Sequence, residues 1–85
     1  MRYLIMCRSL TAAQQCRDQL MGQGISAQVT KAPGDLRKNG CGYAVSIYKS
    51  VERAVHLLLN KNMLTGRVYF EDANGEYKEW RHDLS

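Results

Sequence analysis

The feature that most constrains the fold is a pattern that occurs twice in the chain. In each case a short apolar run precedes a segment of helical periodicity. The first run, "RYLIMC" at residues 2–7, is compact and apolar, as is typical of a buried central strand. The second run, "GYAVSIY" at 42–48, places Tyr43, Val45 and Ile47 on one face of a strand. Each run is followed by residues that can cap a helix, so the sequence predicts two strand–helix units.

Each predicted helix has one apolar face. Ser9 or Thr11 is the predicted N-cap of the first helix, and Gly22 and Gly24 are expected to end it. Its inner face is predicted to consist of Ala12, Ala13, Cys16, Leu20 and Met21. Ser50 is the predicted N-cap of the second helix, whose inner face is expected to comprise Val51, Ala54, Val55 and Leu58.

Three further strands complete the predicted secondary structure. They are "ISAQVTK" at 25–31, "GRVYFED" at 66–72 and a short "EYKEW" at 76–80. The segment "APGDLRKNG" at 32–40 is rich in turn formers and predicts a surface loop. "ANG" at 73–75 predicts a hairpin turn between the last two strands, because Asn-Gly readily takes up positive φ angles.

The order of these elements predicts the fold class. Strand, helix, two strands, helix and strand form the ferredoxin-like βαββαβ arrangement, here an α+β two-layer sandwich with an added C-terminal β-hairpin. We expect the first and third strands to be parallel neighbours in the sheet, with both helices on one face and the other face solvated or used for association. Residues 1–80 then form a single domain, and 81–85 a frayed tail.

Charge and cysteine content make several function classes less favoured. The net charge of +4 comes from basic residues dispersed among acids, which favours a solvated mixed surface over nucleic-acid binding.

The start "MRYLIMCRSL" does not resemble a signal peptide, and no apolar run approaches the about 20 residues needed to cross a bilayer. Three cysteines, an odd number, together with the lack of a secretory signal predict unpaired thiols in a reducing cytoplasm.

The three cysteines fall in different predicted environments. Cys16 lies on the inner face of the first helix, so core packing is the favoured interpretation. Cys7 ends the first strand, where strand packing is favoured, although a nearby helix N-terminus would stabilise its thiolate. Parallel first and third strands would place Cys7 and Cys41 at opposite ends of the sheet, too far apart for a disulfide.

Cys41 is the strongest candidate for chemistry. It lies between Gly40 and Gly42, which leave the sulfur open to approach by another molecule, and it follows Arg37 and Lys38. Nearby cations favour the thiolate, which is the reactive form of cysteine. A redox-sensing, persulfide-bearing or nucleophilic cysteine would need these properties. From the residues alone, a functional thiol and a packed loop residue remain equally supported.

Other candidate groups have simpler interpretations. His56 and His82 are not tied to Cys41 by the sequence, and each is best interpreted as a surface histidine. There is no CxxC and no pair of histidines at i and i+4, so we expect no metal site and no cofactor. The glycine-rich fragments match no nucleotide-binding motif, and the aromatic residues lack the pattern of an RNA-stacking strand.

Three stretches nevertheless carry a family resemblance. They are "RYLIMCRSLTAAQQCRDQL", "ISAQVTKAPGDL" and above all "NGCGYAVSIY". Over roughly residues 2–70, the chain resembles a family of small bacterial proteins described as putative selenium/sulfur (Se/S) carrier protein-like. In that family a strand and a Ser/Thr-containing turn lead into a helix, and a Pro-containing loop precedes a Cys-Gly pair that opens a strand. The corresponding residues here are Ser9, Thr11, Pro33, Cys41 and Gly42.

The resemblance implies a carrier, not a self-sufficient enzyme. Cys41 would hold sulfur or selenium as a persulfide or perselenide, with Arg37 and Lys38 stabilising the anion and Gly40 and Gly42 giving access. A donor such as a cysteine desulfurase and an acceptor protein would be its partners. The alternative is a non-catalytic protein-interaction or regulatory module in which Cys41 is incidental and the open sheet face forms a homo-oligomer. Nucleic-acid binding is a third, less favoured interpretation.

Overall fold

The computed structural model describes residues 2–34, 36, 42–64 and 66–81. Their elements, in chain order, are β1 (Tyr3–Cys7), α1 (Leu10–Gly22), β2 (Gln28–Lys31), β3 (Tyr43–Ile47), α2 (Val51–Asn60), β4 (Val68–Glu71) and β5 (Tyr77–Trp80). The strands form one sheet in the order β2-β3-β1-β4-β5, and each neighbouring pair is antiparallel. The described chain is therefore a small α+β structure with two helices and a five-stranded antiparallel sheet.

The two central strands differ from the sequence-based prediction. β1 and β3 are neighbours, but they are antiparallel, with Cys7 opposite Tyr43 and Tyr3 opposite Ile47. The crossover through α1 makes β2 run in the same direction as β1, and β3 is inserted between them with the opposite direction. The prediction of a parallel pair is therefore wrong. Cys7 lies opposite the first residue of β3 and not a strand length away from it, as the parallel arrangement would require.

Local signals at both ends of α1 act as predicted. Ser9 is the N-cap, and its side-chain oxygen accepts a hydrogen bond from the backbone N–H of Ala12 at 3.1 Å. At the other end, Gly24 takes a φ of +81°, and the N–H of Ile25 donates to the carbonyl of Leu20 at 3.0 Å. A glycine in the left-handed region followed by such a bond is the usual way to close the last helical turn.

The start of α2 is built differently. Ser50 occupies the N-cap position, but its φ of 61° lies in the left-handed region and its side chain makes no capping hydrogen bond. The helix ends near Asn62, which has a φ of 56°, and the N–H of Met63 then donates to the carbonyl of Leu58 at 2.8 Å. Asparagine is one of the residues that tolerates this conformation, so Asn62 acts where α1 uses a glycine.

The hairpin between β4 and β5 forms where the sequence predicts it. Asp72 closes the turn, since its Oδ1 accepts from the N–H groups of Asn74 and Glu76, both at 2.9 Å. Gly75 has a φ of +80°, whereas Asn74 does not enter the positive region. Of the Asn-Gly pair, only the glycine is thus needed for its positive φ angle. The Asp72 carboxylate holds the rest of the turn in place through its two hydrogen bonds.

Both faces of the sheet bury apolar side chains. Residues on the helix-facing side, among them Ile5, Leu20, Val45 and Leu58, form the larger core. A second cluster lies on the opposite face and consists of Leu4, Met6, Ala32 and Ala44, with Leu36, Tyr69 and Tyr77 packed against it. Leu4 and Ala44 are both fully buried, so the centre of the outer face is covered and not open to solvent.

Candidate functional site

Three strand ends meet beside Gly42. Cys7 at the end of β1 and Lys31 at the end of β2 are both paired with Tyr43, the first residue of β3. The carbonyl of Gly42 accepts a hydrogen bond from the N–H of Ala32 at 3.0 Å, which holds the chain entering β3 against the chain leaving β2. Gly42, the second residue of the Cys-Gly pair, therefore lies at this end of the sheet.

One of the five predicted site residues lies in the described part of the chain. Cys41, Arg37, Lys38 and Gly40 are outside the described residues. Gly42 is partly buried, and a Cβ atom built on it would meet no heavy atom within 4 Å. The space that a side chain at Gly42 would occupy is thus free of atoms from the described residues.

Four exposed cations lie at the same end of the sheet. Arg8 follows β1 and Lys31 ends β2, while Arg67 precedes β4 and Arg81 follows β5. Glu79 forms ion pairs with Arg67 at 3.4 Å and Arg81 at 3.6 Å, and these three side chains line a cleft of about 280 Å³. The positions are scattered in the sequence, and only the strand order places them all at one end of the sheet, so sequence reasoning could not find this arrangement. Lys31 ends one edge strand and Arg81 follows the other, so the cations are spread along this end of the sheet, and Glu79 offsets part of the charge of Arg67 and Arg81.

Two other thiols lie under this end of the sheet. Cys7 and Cys16 are 2% and 3% exposed, as expected for packed cysteines, and they are thiols, not a disulfide. The Cys7 Sγ donates to the carbonyl of Ile5 at 3.4 Å, and the Cys16 Sγ donates to the carbonyl of Met63 at 3.7 Å. Interaction with the Cys7 side chain lowers the pKa of Cys16, against the opposing effect of burial.

The effect of Cys7 on the pKa of Cys16 is a feature that sequence reasoning missed. The structure confirms the packing predicted for both residues, because each lies in the helix-facing core. The available signal was that Cys7 is the last inner-facing residue of β1, while Cys16 faces the sheet from the helix that follows. Helix-on-sheet packing over this short connection places both residues in the same core cluster.

The remaining candidate groups stay apart. His56 is exposed on α2, and His82 lies outside the described residues. Within residues 2–34, 36, 42–64 and 66–81, no three His, Cys, Asp or Glu side chains are arranged to hold a metal ion. Neither α1 nor α2, the helices of the described chain, is long and apolar enough to cross a membrane.

Comparison with known proteins identifies one family. The family model described as "Putative Se/S carrier protein-like" matches residues 2–71, from the residue before β1 to the last residue of β4. The match includes Cys41 and Gly42 and leaves β5 outside. No curated protein and no solved structure matches the chain. Because the family model covers most of the sequence, the chain belongs to the putative Se/S carrier protein-like family.

Proposed function

We propose that this protein carries sulfur or selenium on Cys41, as a persulfide or perselenide, for transfer between partner proteins. Membership of the Se/S carrier-like family is the observation that carries the proposal, since the matched residues include the Cys41-Gly42 pair. The protein acts as an accessory carrier in a reducing cytoplasm. Its fold is ferredoxin-like with an added hairpin strand, an assignment supported by the βαββαβ order of its elements.

The surroundings of Gly42 support the roles given to the neighbouring residues. Gly40 and Gly42 give a partner protein access to the Cys41 sulfur, and the open space at the Gly42 Cα favours such an approach. Arg37 and Lys38 stabilise the anionic sulfur. Lys31, whose partner Tyr43 follows Gly42, adds positive potential at the same end of the sheet.

The transfer step is a thiol–persulfide exchange. The Cys41 thiolate attacks the outer sulfur of a persulfide on the donor, such as a cysteine desulfurase. A new S–S bond forms on Cys41 while the S–S bond of the donor breaks, and the donor leaves as a thiolate. Unloading repeats the same step with an acceptor thiolate, so the chemistry needs no metal or redox cofactor on the carrier.

Intact-mass measurement after incubation with a cysteine desulfurase and cysteine tests the proposal. We expect the wild-type chain to gain the mass of one sulfur atom, and dithiothreitol to remove it. Removal by dithiothreitol separates a persulfide from a sulfinic acid of nearly the same mass, because the sulfinic acid resists thiols. Cys41→Ser should gain nothing, whereas Cys16→Ala should load like the wild type. No adduct on the wild type, or an equal adduct on Cys41→Ser, would refute the proposal.

The rate of Cys41 alkylation at graded pH separates the carrier from the interaction-module alternative. A carrier thiol stabilised by Arg37 and Lys38 should react faster at neutral pH than a thiol with the ordinary pKa of about 8.5. Replacing both cations, as in Arg37→Gln with Lys38→Gln, should remove the difference. An ordinary rate in the wild type would favour an interaction module.

A further inference from the structure

The cleft between the start of β4 and the end of β5 has no role in the proposed carrier function. It measures about 280 Å³, and its charged lining residues are Arg67, Glu79 and Arg81, with Trp80 beside them. Glu79 and Trp80 belong to β5, and Arg81 follows that strand. All three lie beyond the part of the chain that the family model matches. The cleft is therefore a feature of the added strand, and the family gives it no function.

The cleft carries more positive than negative charge. Arg67 Nη1 lies 3.4 Å from Glu79 Oε1, and Arg81 Nε lies 3.6 Å from Oε2 of the same carboxylate. Among the described residues that line the cleft, Glu79 is the sole acid, so two guanidinium groups share one carboxylate. The side chains of Arg67 and Arg81 are 65% and 86% exposed. Most of their N–H donors therefore face solvent and can bind a further anion.

We propose that this cleft is a docking site for an acidic segment of a partner protein, in which a Glu or Asp side chain binds between Arg67 and Arg81. The planar guanidinium group matches a carboxylate, since it can donate two parallel N–H bonds to the two oxygens. Trp80 provides apolar surface beside the cations and is positioned by Tyr3, whose ring lies edge-on at a centroid distance of 6.4 Å. Arginine and tryptophan are also the residues that most often dominate binding at protein interfaces.

The size of the cleft defines the form of the partner. A volume of about 280 Å³ holds a few side chains and not a folded domain. The partner must therefore present an extended or protruding segment, in which an acidic residue lies next to an apolar one. Nucleic acid is a less suitable occupant, because the basic residues of the chain are dispersed among acids and Trp80 packs against Tyr3 and the helix-facing core.

Trp80 provides a direct readout, because it is the only tryptophan in the sequence and it lines the cleft. The full chain is titrated at low ionic strength with a short, end-blocked peptide of alternating glutamate and alanine, and with its glutamine counterpart. We expect a saturable change in Trp80 emission with the glutamate peptide alone, and weaker binding as salt is added. Calorimetric titration measures the same affinity independently of emission. Peptide binding involves no thiol, so the result does not depend on whether Cys41 carries sulfur.

Charge-matched variants separate the cleft from the net charge of the chain. Arg67→Gln and Arg81→Gln should each weaken binding by about tenfold, since a hydrogen bond to a charged group is lost. Arg17→Gln removes the same charge from α1 and should leave the affinity unchanged. Glu79→Gln should strengthen binding, because the carboxylate that competes for both guanidinium groups is removed. Glu52→Gln makes the same charge change on α2 and should have no such effect.

Three results would overturn the proposal. The first is equal binding of the glutamine and glutamate peptides, or an Arg17→Gln variant that loses as much affinity as Arg67→Gln. The second is tighter binding of an oligothymidylate of equal charge, which would make the cleft a nucleic-acid site. The third is a change in Trp80 emission on Asp83→Asn without peptide binding by the wild type, which would assign the cleft to the C-terminal tail of the chain itself.

Discussion

Cys7 and Tyr43 are directly opposite each other in the antiparallel pair of β1 and β3. Both side chains face the helices, and Tyr43 packs against the core cluster that contains Cys7. Since Gly42 precedes Tyr43, this pairing ties the end of β1 to the chain that carries the Cys-Gly pair. Cys7 and Gly42 are therefore close in the fold, although they are far apart in the sequence.

A Tyr43→Cys substitution tests this register. Opposed residues of antiparallel strands have Cα atoms about 4.5–5.5 Å apart, a separation that a disulfide can span. In a background with Cys16→Ala and Cys41→Ser, we expect mild oxidation with diamide to link Cys7 to the new cysteine, giving a monomer that is two hydrogen atoms lighter. Ile47→Cys is the matched control, because Ile47 is opposite Tyr3. A link from Cys7 to position 47 instead would contradict the antiparallel register.

The two helix N-termini should respond differently to the loss of their serines. Ser9→Ala removes the hydrogen bond to the Ala12 N–H and should lower the free energy of unfolding by about 1 kcal/mol. Ser50→Ala removes no capping bond, so its effect should stay within about 0.5 kcal/mol. Ser50→Gly relieves the left-handed backbone and should stabilise by about 1 kcal/mol. Urea unfolding of the three variants checks this order, which equal losses for both alanine variants would contradict.

Features decided by neighbours in the chain could be predicted from the sequence, whereas those decided by strand order could not. Ser9, Gly24 and the Asn74-Gly75 turn act through hydrogen bonds to residues a few positions away. The residue types in each short segment are therefore sufficient to predict these features. The direction of β3 relative to β1 depends on where the α1 crossover places β2, which residue pattern alone does not determine. Ser50 shows that a local prediction can also fail. A residue type that often caps helices lies at the N-cap position, but its backbone is left-handed and its side chain makes no capping hydrogen bond.

The candidate site shows the same division. The Cys-Gly pair and its family resemblance could be recognised in the sequence, and the family match confirms the resemblance. The grouping of Lys31, Arg67 and Arg81 at one end of the sheet required the strand order, because these residues belong to different strands or strand ends. The effect of Cys7 on the pKa of Cys16 depends on the packing of α1 on the sheet. Long-range geometry, not residue type, was the missing information.

Gly66→Ala should destabilise the protein through a single close approach. A Cβ at Gly66 would lie 2.5 Å from the carbonyl oxygen of Met6, a backbone atom that β1 holds in place. We expect a loss of about 1–3 kcal/mol in the free energy of unfolding, as is typical when a well-packed site is overfilled. Gly42→Ala is the control, because the same atom at Gly42 meets nothing within 4 Å. Equal urea midpoints for the two variants would contradict the close approach.

Asp72 should make the hairpin sensitive to acid. Hydrogen bonds from the N–H of Glu76 first, and then from the N–H of Asn74 and from Lys78, hold the pKa of the Asp72 carboxyl below its ordinary value. A carboxyl with a lowered folded-state pKa contributes stability that is fully present above its ordinary value of about 3.9 and is lost as pH falls through the folded-state value. We therefore expect the wild-type urea midpoint to fall on acidification below about pH 4 more steeply than that of Asp72→Asn.

The asparagine variant isolates the charge of Asp72 from its role in the turn. Both backbone N–H groups donate to Oδ1, which asparagine retains, while Lys78 Nζ lies 3.4 Å from Oδ2, which asparagine replaces with an amide nitrogen. Asp72→Ala should lose the turn bonds as well and be less stable than Asp72→Asn at neutral pH. Asp18→Asn on α1 controls for the change in net charge. Identical acid profiles for the wild type and Asp72→Asn would show that the Asp72 carboxylate contributes nothing to the pH dependence of folding.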